Sequence, residues 1–369
     1  MEITKEASLH RRGRFRKITS VAVAGGAIAL LVACAGGAPS ATPDATSDAT
    51  TVTDAGPGEA PSTITGTPLE GKVIGVISAG PIEYYTTSQQ SAKLAVEALG
   101  GTDIEYDSAF DPTKEVANVQ AAITQQVDGM IVIPLSTAGT ETALNLLADA
   151  DIPVVMIYGW DTTGAFADKA AGFVQVDFYE YGKLIGEGFK ALVPDGPVAI
   201  IQGQAGRDEI LQASRGFREG YGNDAAIVEE IPANWNRQLA FETTNTIMTA
   251  HPDLKGIYVQ NDDMAIGAAT ALGDKISDVI VGSMNGSPEG LDQQRAGTIR
   301  VMAQNSIPVE SSMAVRILSY AMEGYTTVWS TKPCSPPLRL VEDPNAQDNF
   351  TWVPSAALIT EGLNTACIG

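Results

Sequence analysis

Aromatic, amide and guanidinium side chains recur in this sequence just after short apolar segments. The polar, loop-like stretch 233–237 is one example, because Trp235 and Arg237 lie two residues apart in it. An aromatic ring offers a flat apolar surface, and a guanidinium or amide group offers several hydrogen-bonding atoms in one plane. Side chains of these types suit the non-covalent capture of a small polar ligand.

Signatures of catalysis are missing from the sequence. It contains two histidines: His10 lies near the N-terminus and His251 stands before Pro252, which leaves no His/Cys metal cluster. It also contains no Gly-x-Ser-x-Gly elbow and no phosphate loop. Catalysis by carboxylates alone stays open, but we expect a binding protein rather than an enzyme, without metal or cofactor. The net charge of -21 also argues against nucleic acid as a partner, because an acidic surface repels phosphates.

The elements that would position these side chains alternate between strand and helix from residue 72 onward. Apolar runs predict strands at 72–78, 104–106, 128–134, 152–158, 172–176, 197–203, 226–231, 255–260, 278–283 and 298–304. Amphipathic segments predict helices between them and a last helix at about 309–323. This alternation indicates parallel sheets covered on both faces, and its length indicates two doubly wound α/β lobes. Ligands bind such folds at crevices outside the carboxyl ends of the strands.

The first 33 residues have the pattern of a secretory signal peptide, with basic residues at 11–17 before an apolar run at 21–33. Thirteen apolar residues are too few to span a bilayer, which takes ~20. The run ends Leu31-Val32-Ala33-Cys34, which resembles the bacterial lipobox, so we expect Cys34 to be acylated. A simple signal peptide with a chance cysteine is the alternative, and the Arg11-Arg12 pair is only weakly similar to a twin-arginine export signal.

Residues 34–70 predict a flexible linker, because they are rich in Ala, Thr, Ser, Pro and Gly and show no apolar periodicity. A linker behind a lipid anchor would hold a folded region away from the membrane. Two cysteines remain, Cys334 and Cys367. An exported protein can form a disulfide between them, which would fix the C-terminal tail, and the alternative is two unrelated thiols.

Several segments together resemble the ribose-binding type of periplasmic solute-binding protein, from residue 72 to about 330. They are HPDLKGIYVQNDDMAIGAATAL (251–272), GSMNGSPEG (282–290), MAQNS (302–306), IPANWNRQLAF (231–241) and GFR (216–218). The resemblance implies a type I periplasmic binding protein fold, in which three crossovers join two lobes that close on a ligand like a hinge. The N-lobe would comprise 71–175 and 305–330, and the C-lobe with the tail 176–304 and 331–369.

The resemblance and the strand-end positions together give a set of ligand contacts. They are Tyr84, Tyr85, Tyr158, Trp160, Arg207, Trp235, Arg237, Asn261, Asp262, Asn285 and Gln304. For the aromatic residues the alternative is ordinary packing, and for Arg237 it is a surface ion pair. Asp262 is as well explained as a helix N-cap, and Asp177 is most simply a helix N-cap.

The sequence departs from the family pattern in two places that bear on the ligand. Tyr158-Gly159 stands where the family has Asp-Arg, and the family's ligand-binding arginine falls near Leu211. Either Arg207 or Arg215 could replace that arginine. These changes put ribose itself in doubt as the ligand. A polyol, another pentose or hexose, or a modified sugar fits the sequence as well.

The resemblance implies that the protein captures a sugar or polyol for an ABC permease. We expect a monomer, lipid-anchored on the extracytoplasmic face of the cell membrane. One alternative is a sensor that delivers the same kind of ligand to a membrane receptor. Another is a binder of an amino acid, nucleoside or signalling furanose.

Overall fold

The computed structural model describes residues 60–367 except 62, 136, 160–165, 326–332 and 348. The predicted signal peptide, Cys34, most of the linker and Trp160 lie outside the described residues. No helix in the described part of the chain has both the length and the apolar character needed to cross a membrane.

Strands and helices alternate along the chain, as the apolar pattern predicted. The first half contains β1 (Val73–Ser78), α1 (Glu83–Ala98), β2 (Thr102–Asp107), α2 (Pro112–Thr124), β3 (Gly129–Val132), α3 (Thr137–Asp149), β4 (Val154–Ile157), β5 (Gly172–Val174) and α4 (Phe178–Leu192). The second half continues with β6 (Val198–Gln202), α5 (Asp208–Tyr221), β7 (Ile227–Pro232), α6 (Arg237–Ala250), β8 (Gly256–Val259), α7 (Asp262–Leu272), β9 (Ile280–Asn285), α8 (Pro288–Arg295), β10 (Val301–Asn305) and α9 (Ile307–Met322). The tail adds β11 (Leu338–Leu340) and α10 (Ala356–Asn364), neither of which the sequence predicted.

The strands form two sheets, one in each lobe. The N-lobe sheet has the order β2-β1-β3-β4-β5 and the C-lobe sheet the order β11-β10-β9-β8-β6-β7. All described pairs are parallel except β10 with β11, which is antiparallel. This arrangement is the predicted pair of doubly wound α/β lobes.

Each sheet is covered on both faces, which explains why its strands read as unbroken apolar runs. In β3, Met130 and Val132 join one buried cluster while Ile131 joins the cluster on the opposite face. In β6, Val198 and Ile200 likewise face one cluster and Ala199 and Ile201 the other. Successive side chains of a strand point to opposite faces, so a strand buried on both faces shows no polar alternation.

Side-chain caps fix where several of the helices begin. Asp177 accepts a hydrogen bond from Glu180 N (2.9 Å) and caps α4, as predicted. Asn236 caps α6 through Leu239 N (2.8 Å). Each such cap stabilises its helix by about 1 kcal/mol and sets the residue that follows at the first helical position.

The C-terminal tail spans both lobes, which corrects the expectation that residues 331–369 belong to the C-lobe. Cys334 pairs with Val174 at the edge of the N-lobe sheet, and β11 then extends the C-lobe sheet. The tail returns to the N-lobe as α10, which packs on α9 and buries Ile359 and Leu363 in the N-lobe core. A disulfide joins Cys334 to Cys367, with Cα atoms 4.8 Å apart. The apolar face of α10 explains the return, because exposing it would cost the free energy of its burial.

Candidate functional site

The predicted contact residues that the structure describes lie at or just beyond the carboxyl ends of strands. In the N-lobe, Tyr84 and Tyr85 follow β1 and Tyr158 follows β4. In the C-lobe, the strands are followed by Arg207 (after β6), Trp235 and Arg237 (after β7) and Asn261 and Asp262 (after β8). Asn285 ends β9, and Gln304 lies in β10. Strands that run parallel have their carboxyl ends on one edge of the sheet, so each lobe presents one functional edge. We call Tyr84, Tyr85, Tyr158, Arg207, Trp235, Asn261 and Asn285 the interlobe site.

Two contacts connect the functional edges of the two lobes. Tyr85 of the N-lobe lies close enough to Arg207 and Glu209 of the C-lobe for their charges to act on its hydroxyl. Burial raises the pKa of Tyr85, and the nearby Arg207 partly opposes that shift. Tyr84 contacts the ring of Trp352 (centroids 5.7 Å apart), and the Trp352 indole N–H donates to the carbonyl oxygen of Asn285 (3.3 Å). Trp352 therefore links Tyr84 and Asn285, predicted contacts from the two lobes.

The N-lobe side of the site is an aromatic cluster built on a buried carboxyl group. The hydroxyls of Tyr84 and Tyr158 contact each other, and both lie within hydrogen-bond distance of Glu310 Oε2 (2.8 and 3.3 Å). Asn305 Nδ2 also donates to this oxygen (3.2 Å), and Tyr181 OH donates to Asn305 Oδ1 (2.8 Å). The network thus runs from the N-lobe tyrosines to α4 of the C-lobe.

Burial of Glu310 has an electrostatic consequence. Its side chain is 0% exposed, and desolvation raises its pKa from 4.5 to about 7 although the hydrogen bonds from Tyr84 and Tyr158 lower it. Burial is also the main cause that raises the pKa values of Tyr84 and Tyr158, so both phenols stay protonated donors. Sequence reasoning missed Glu310, although a carboxylate inside the otherwise apolar start of α9 was a visible signal.

Both sides of the site contain backbone conformations that residues with side chains seldom adopt. Tyr158, Trp235 and Asn285 have φ values of 70°, 60° and 113°. Such conformations cost ~1–3 kcal/mol each and persist where the surroundings impose them, often at functional sites. The Trp235 ring lies directly against Gly203, where a Cβ atom would overlap it. Gly203 therefore gives the ring its place at the end of β6.

The structure separates the two arginines that could replace the family's missing one. Arg207 forms an ion pair with Glu209, and its charge lowers the pKa of Tyr85, which burial raises. Arg215 lies instead over the ring of Tyr179 (5.1 Å) and donates to Gln212 (3.0 Å). Of the two, Arg207 is therefore the candidate for the site arginine.

Arg237 is engaged by carboxylates. Its guanidinium donates to Asp263 Oδ1 (2.8 Å from Nε) and to both carboxylate oxygens of Glu289 (3.1 and 2.7 Å). Its side chain is 42% exposed, so the cluster resembles the surface ion pair that was the alternative interpretation. A ligand would have to draw Arg237 away from these partners.

Asn261 is the N-cap of α7. The alternative interpretation of Asp262 as a helix N-cap is therefore wrong. Asn261 Oδ1 accepts from Met264 N (2.8 Å). Asp262 is buried and accepts from Ser283 Oγ and Ser287 N (2.6 Å each), so it fixes the loop after β9. Desolvation raises the pKa of Asp262 to about 6 against these hydrogen bonds. Asn261 takes the cap position because an N-cap side chain accepts from a backbone N–H two or three residues later, and Met264 is three residues after Asn261.

Gln304 is covered by the C-terminal tail. It is 0% exposed, and its amide lies within hydrogen-bond distance of Asn349 Oδ1 (3.3 Å). With its oxygen turned toward the tail, it accepts from Phe350 N (2.9 Å) and Arg339 Nε (3.1 Å). The structure therefore places this predicted ligand contact under the tail. Sequence reasoning missed Trp352; an aromatic residue between two cysteines of an otherwise unassigned tail was the available signal.

Three comparisons place this geometry among known proteins. The "Periplasmic binding protein domain" family matches residues 74–326, which is more than half of the chain. The ribose import binding protein of Escherichia coli is 27% identical over 218 residues, covering 58% of this chain and 72% of the relative. The D-apiose import binding protein of Paraburkholderia graminis is 27% identical over 258 residues, covering 69% and 82%.

A solved structure agrees with these relatives. An ABC transporter solute-binding protein from Mycobacterium smegmatis with bound glycerol superposes with a TM-score of 0.67 at 27% identity, covering 74% of this chain and 95% of that one. These proteins are binding proteins and not enzymes, as the sequence predicted for this chain. Within the described residues, no group of three His, Cys, Asp or Glu side chains could hold a metal ion. The two α/β lobes and the match over residues 74–326 show that the chain belongs to the periplasmic binding protein family.

Proposed function

We propose that this protein is the substrate-binding component of an ABC importer and captures a sugar or polyol at the interlobe site. The names of its relatives support the ligand class, since they describe import of ribose and apiose, and the M. smegmatis protein holds glycerol. The observation that carries the proposal is the hydrogen-bonded network that joins Tyr84 and Tyr158 of the N-lobe to Tyr181 of the C-lobe through Glu310 and Asn305. This network places phenol, amide and carboxyl groups between the lobes at the carboxyl ends of the two sheets.

The charges around the site favour a neutral ligand. Arg207 is paired with Glu209, and Arg237 is paired with Asp263 and Glu289. An amino acid needs an uncompensated cation for its carboxylate and an anion for its amine. In the described part of the site, both arginines are thus already paired with carboxylates. Hydroxyl groups, by contrast, can bind to amides, phenols and the remaining guanidinium donors.

Aromatic side chains supply the apolar part of such a site. Tyr85 and Trp235 are both partly buried, one in each lobe. Sugars and cyclic polyols present apolar C–H faces that pack on aromatic rings. Trp160, which follows Tyr158 and Gly159 in the sequence, is a further aromatic candidate of this site but lies outside the described residues.

The N-terminal sequence supports a lipid anchor. The signal peptide (1–33) would be removed, Cys34 acylated, and the linker to about residue 70 would tether the lobes on the extracytoplasmic face of the membrane. The protein would act as a monomer that delivers its ligand to a membrane permease. Replacing Cys34 with Ser should move the protein from the membrane fraction to the soluble fraction; a membrane-bound variant would contradict the anchor. A dimer mass in light scattering would contradict the monomer.

A thermal-shift screen tests the ligand class. The panel contains pentoses, hexoses, glycerol, myo-inositol, amino acids and nucleosides at millimolar concentration. A ligand at ~1,000 times its dissociation constant stabilises by about 4 kcal/mol, which raises Tm by several degrees in a protein of this size. A shift with one sugar or polyol supports the proposal. A shift only with an amino acid or nucleoside overturns the ligand class and keeps the binding function. The alternative of a sensor would be favoured if the ligand were found to act through a receptor kinase rather than a permease.

A further inference from the structure

The C-terminal tail lies beyond the part of the chain that the family accounts for. The family match ends at residue 326, whereas the tail continues to residue 369. The described part of the tail nevertheless reaches the interlobe site, because Trp352 contacts Tyr84 and Asn285. The tail is therefore placed to act on whatever binds there.

Contacts with β10, Gln294 and Gln304 fix the tail on the C-lobe before it reaches the site. β11 pairs with β10 from Leu338 to Leu340, and Gln294 Nε2 donates to Val341 O (3.1 Å). Within the tail itself, the Arg339 guanidinium lies 4.3 Å from the centre of the Phe350 ring. The Gln304 amide is engaged by the tail backbone and side chains, as described above. Gln304 therefore positions the tail, and the tail covers Gln304.

Trp352 connects the two lobes. It is 6% exposed, and its indole N–H donates to Asn285 O (3.3 Å). Its ring forms an edge-to-face contact with the ring of Tyr84, with an interplanar angle of 79°. The next residue, Val353, is 65% exposed. The tail then joins the N-lobe through α10, and the Cys334–Cys367 disulfide closes the segment. A large aromatic side chain is thus held between the lobes by attachments to both of them.

We propose that Trp352 is a specificity-determining contact of the interlobe site and that the tail closes the end of the site at Asn285 and Gln304. This inference rests on the proposed function. The ligand would then occupy the region bounded by Tyr85, Arg207 and Trp235, with the indole of Trp352 as its end wall. An indole wall favours a neutral polyhydroxylated ring, because the apolar C–H face of such a ring packs on an aromatic surface.

Calorimetric titration of purified wild type, Trp352→Ala, Trp352→Phe and Val353→Ala tests this inference. The probe is the sugar or polyol that gives the largest thermal shift with wild type. We expect Trp352→Ala to weaken binding at least tenfold, Trp352→Phe to stay within about threefold, and Val353→Ala to match wild type. The value of tenfold corresponds to the loss of about 1.4 kcal/mol of binding free energy. A Trp352→Ala protein that binds within twofold of wild type overturns the inference.

The design separates failure of the inference from failure of the proposed function. Absence of binding by wild type overturns both, whereas equal binding by wild type and Trp352→Ala overturns only the role of Trp352. Thermal unfolding without ligand shows whether Trp352→Ala is folded. If Trp352→Ala is not folded, the ligand-induced change in tryptophan emission tests the inference instead. It is measured in wild type and in the conservative Trp352→Phe variant. A contact with Trp352 predicts a smaller change in the variant, and an equal change overturns the inference.

Discussion

The Trp235 ring lies against the backbone of Gly203, at a distance that leaves no room for a Cβ atom on Gly203. Gly203 directly follows β6, and Trp235 follows the neighbouring strand β7. Gly203 N also donates to Gln260 Oε1 (3.0 Å), which fixes the turn to the end of β8. The place of an aromatic side chain at the interlobe site thus depends on a glycine more than 30 residues away in sequence.

Gly203→Ala should weaken ligand binding at least tenfold, because the new methyl group would push the Trp235 ring out of its place. Gly196→Ala is the matched control, since Gly196 precedes the other end of β6 and a Cβ there would also crowd its neighbours, the nearest being the side chains of Val193 and Lys255. Titration calorimetry of both variants measures the effect. If both variants lost affinity equally, the effect would come from general disturbance of β6 and not from Trp235.

Arg207→Gln should weaken binding of the sugar or polyol about tenfold, because this guanidinium follows β6 at the interlobe site and its charge acts on the Tyr85 hydroxyl. Arg215→Gln is the control from the same helix region, where the arginine contacts Tyr179 and Gln212 instead. Affinities of the two variants should be compared in the same buffer as wild type. Loss of affinity in Arg215→Gln alone would reverse the assignment of the site arginine.

Much of the fold could be predicted because it depends on local patterns. The apolar strands and the cap at Asp177 follow from residues that are adjacent in sequence. The ion pairs of Arg237 could not be predicted, because Asp263 and Glu289 are 26 and 52 residues away. The same holds for the tail, since neither the pairing of Gln304 with Arg339 nor the contact of Trp352 with Tyr84 leaves a pattern in the sequence.

Glu310 predicts a specific pH dependence of stability. The folded protein raises its pKa from 4.5 to about 7, so the folded state binds this proton more tightly than the unfolded state. Its contribution to stability is greatest below pH 4.5 and is lost as pH rises to about 7. Between those values, the unfolding free energy of wild type should fall relative to Glu310→Gln by about 3 kcal/mol.

Urea unfolding at a series of pH values measures that difference. Glu323→Gln removes the same formal charge from the exposed end of α9 and serves as the control. Its unfolding free energy should run parallel to that of wild type across the window. Parallel curves for Glu310→Gln and wild type would show that the buried carboxyl does not titrate as described.

The tail disulfide should stabilise the folded protein. Cys334 and Cys367 are 33 residues apart, and closing a loop of this length lowers the entropy of the unfolded chain by an amount worth about 4 kcal/mol. Replacing both cysteines with serine should lower Tm by several degrees and make the tail more sensitive to limited proteolysis. Reducing agent should destabilise wild type and leave the double variant unchanged, and an unchanged wild type would contradict the role of the bond.

The central claim is that a sugar or polyol binds between the lobes, and titration of wild type beside Trp235→Ala tests it most directly. The ligand is the sugar or polyol selected by the thermal-shift screen, and unfolding without ligand controls for stability. The predicted result is saturable one-to-one binding by wild type, with affinity at least tenfold lower in Trp235→Ala and little change in its Tm. Binding of equal affinity by the two proteins would contradict the placement of the ligand at the interlobe site.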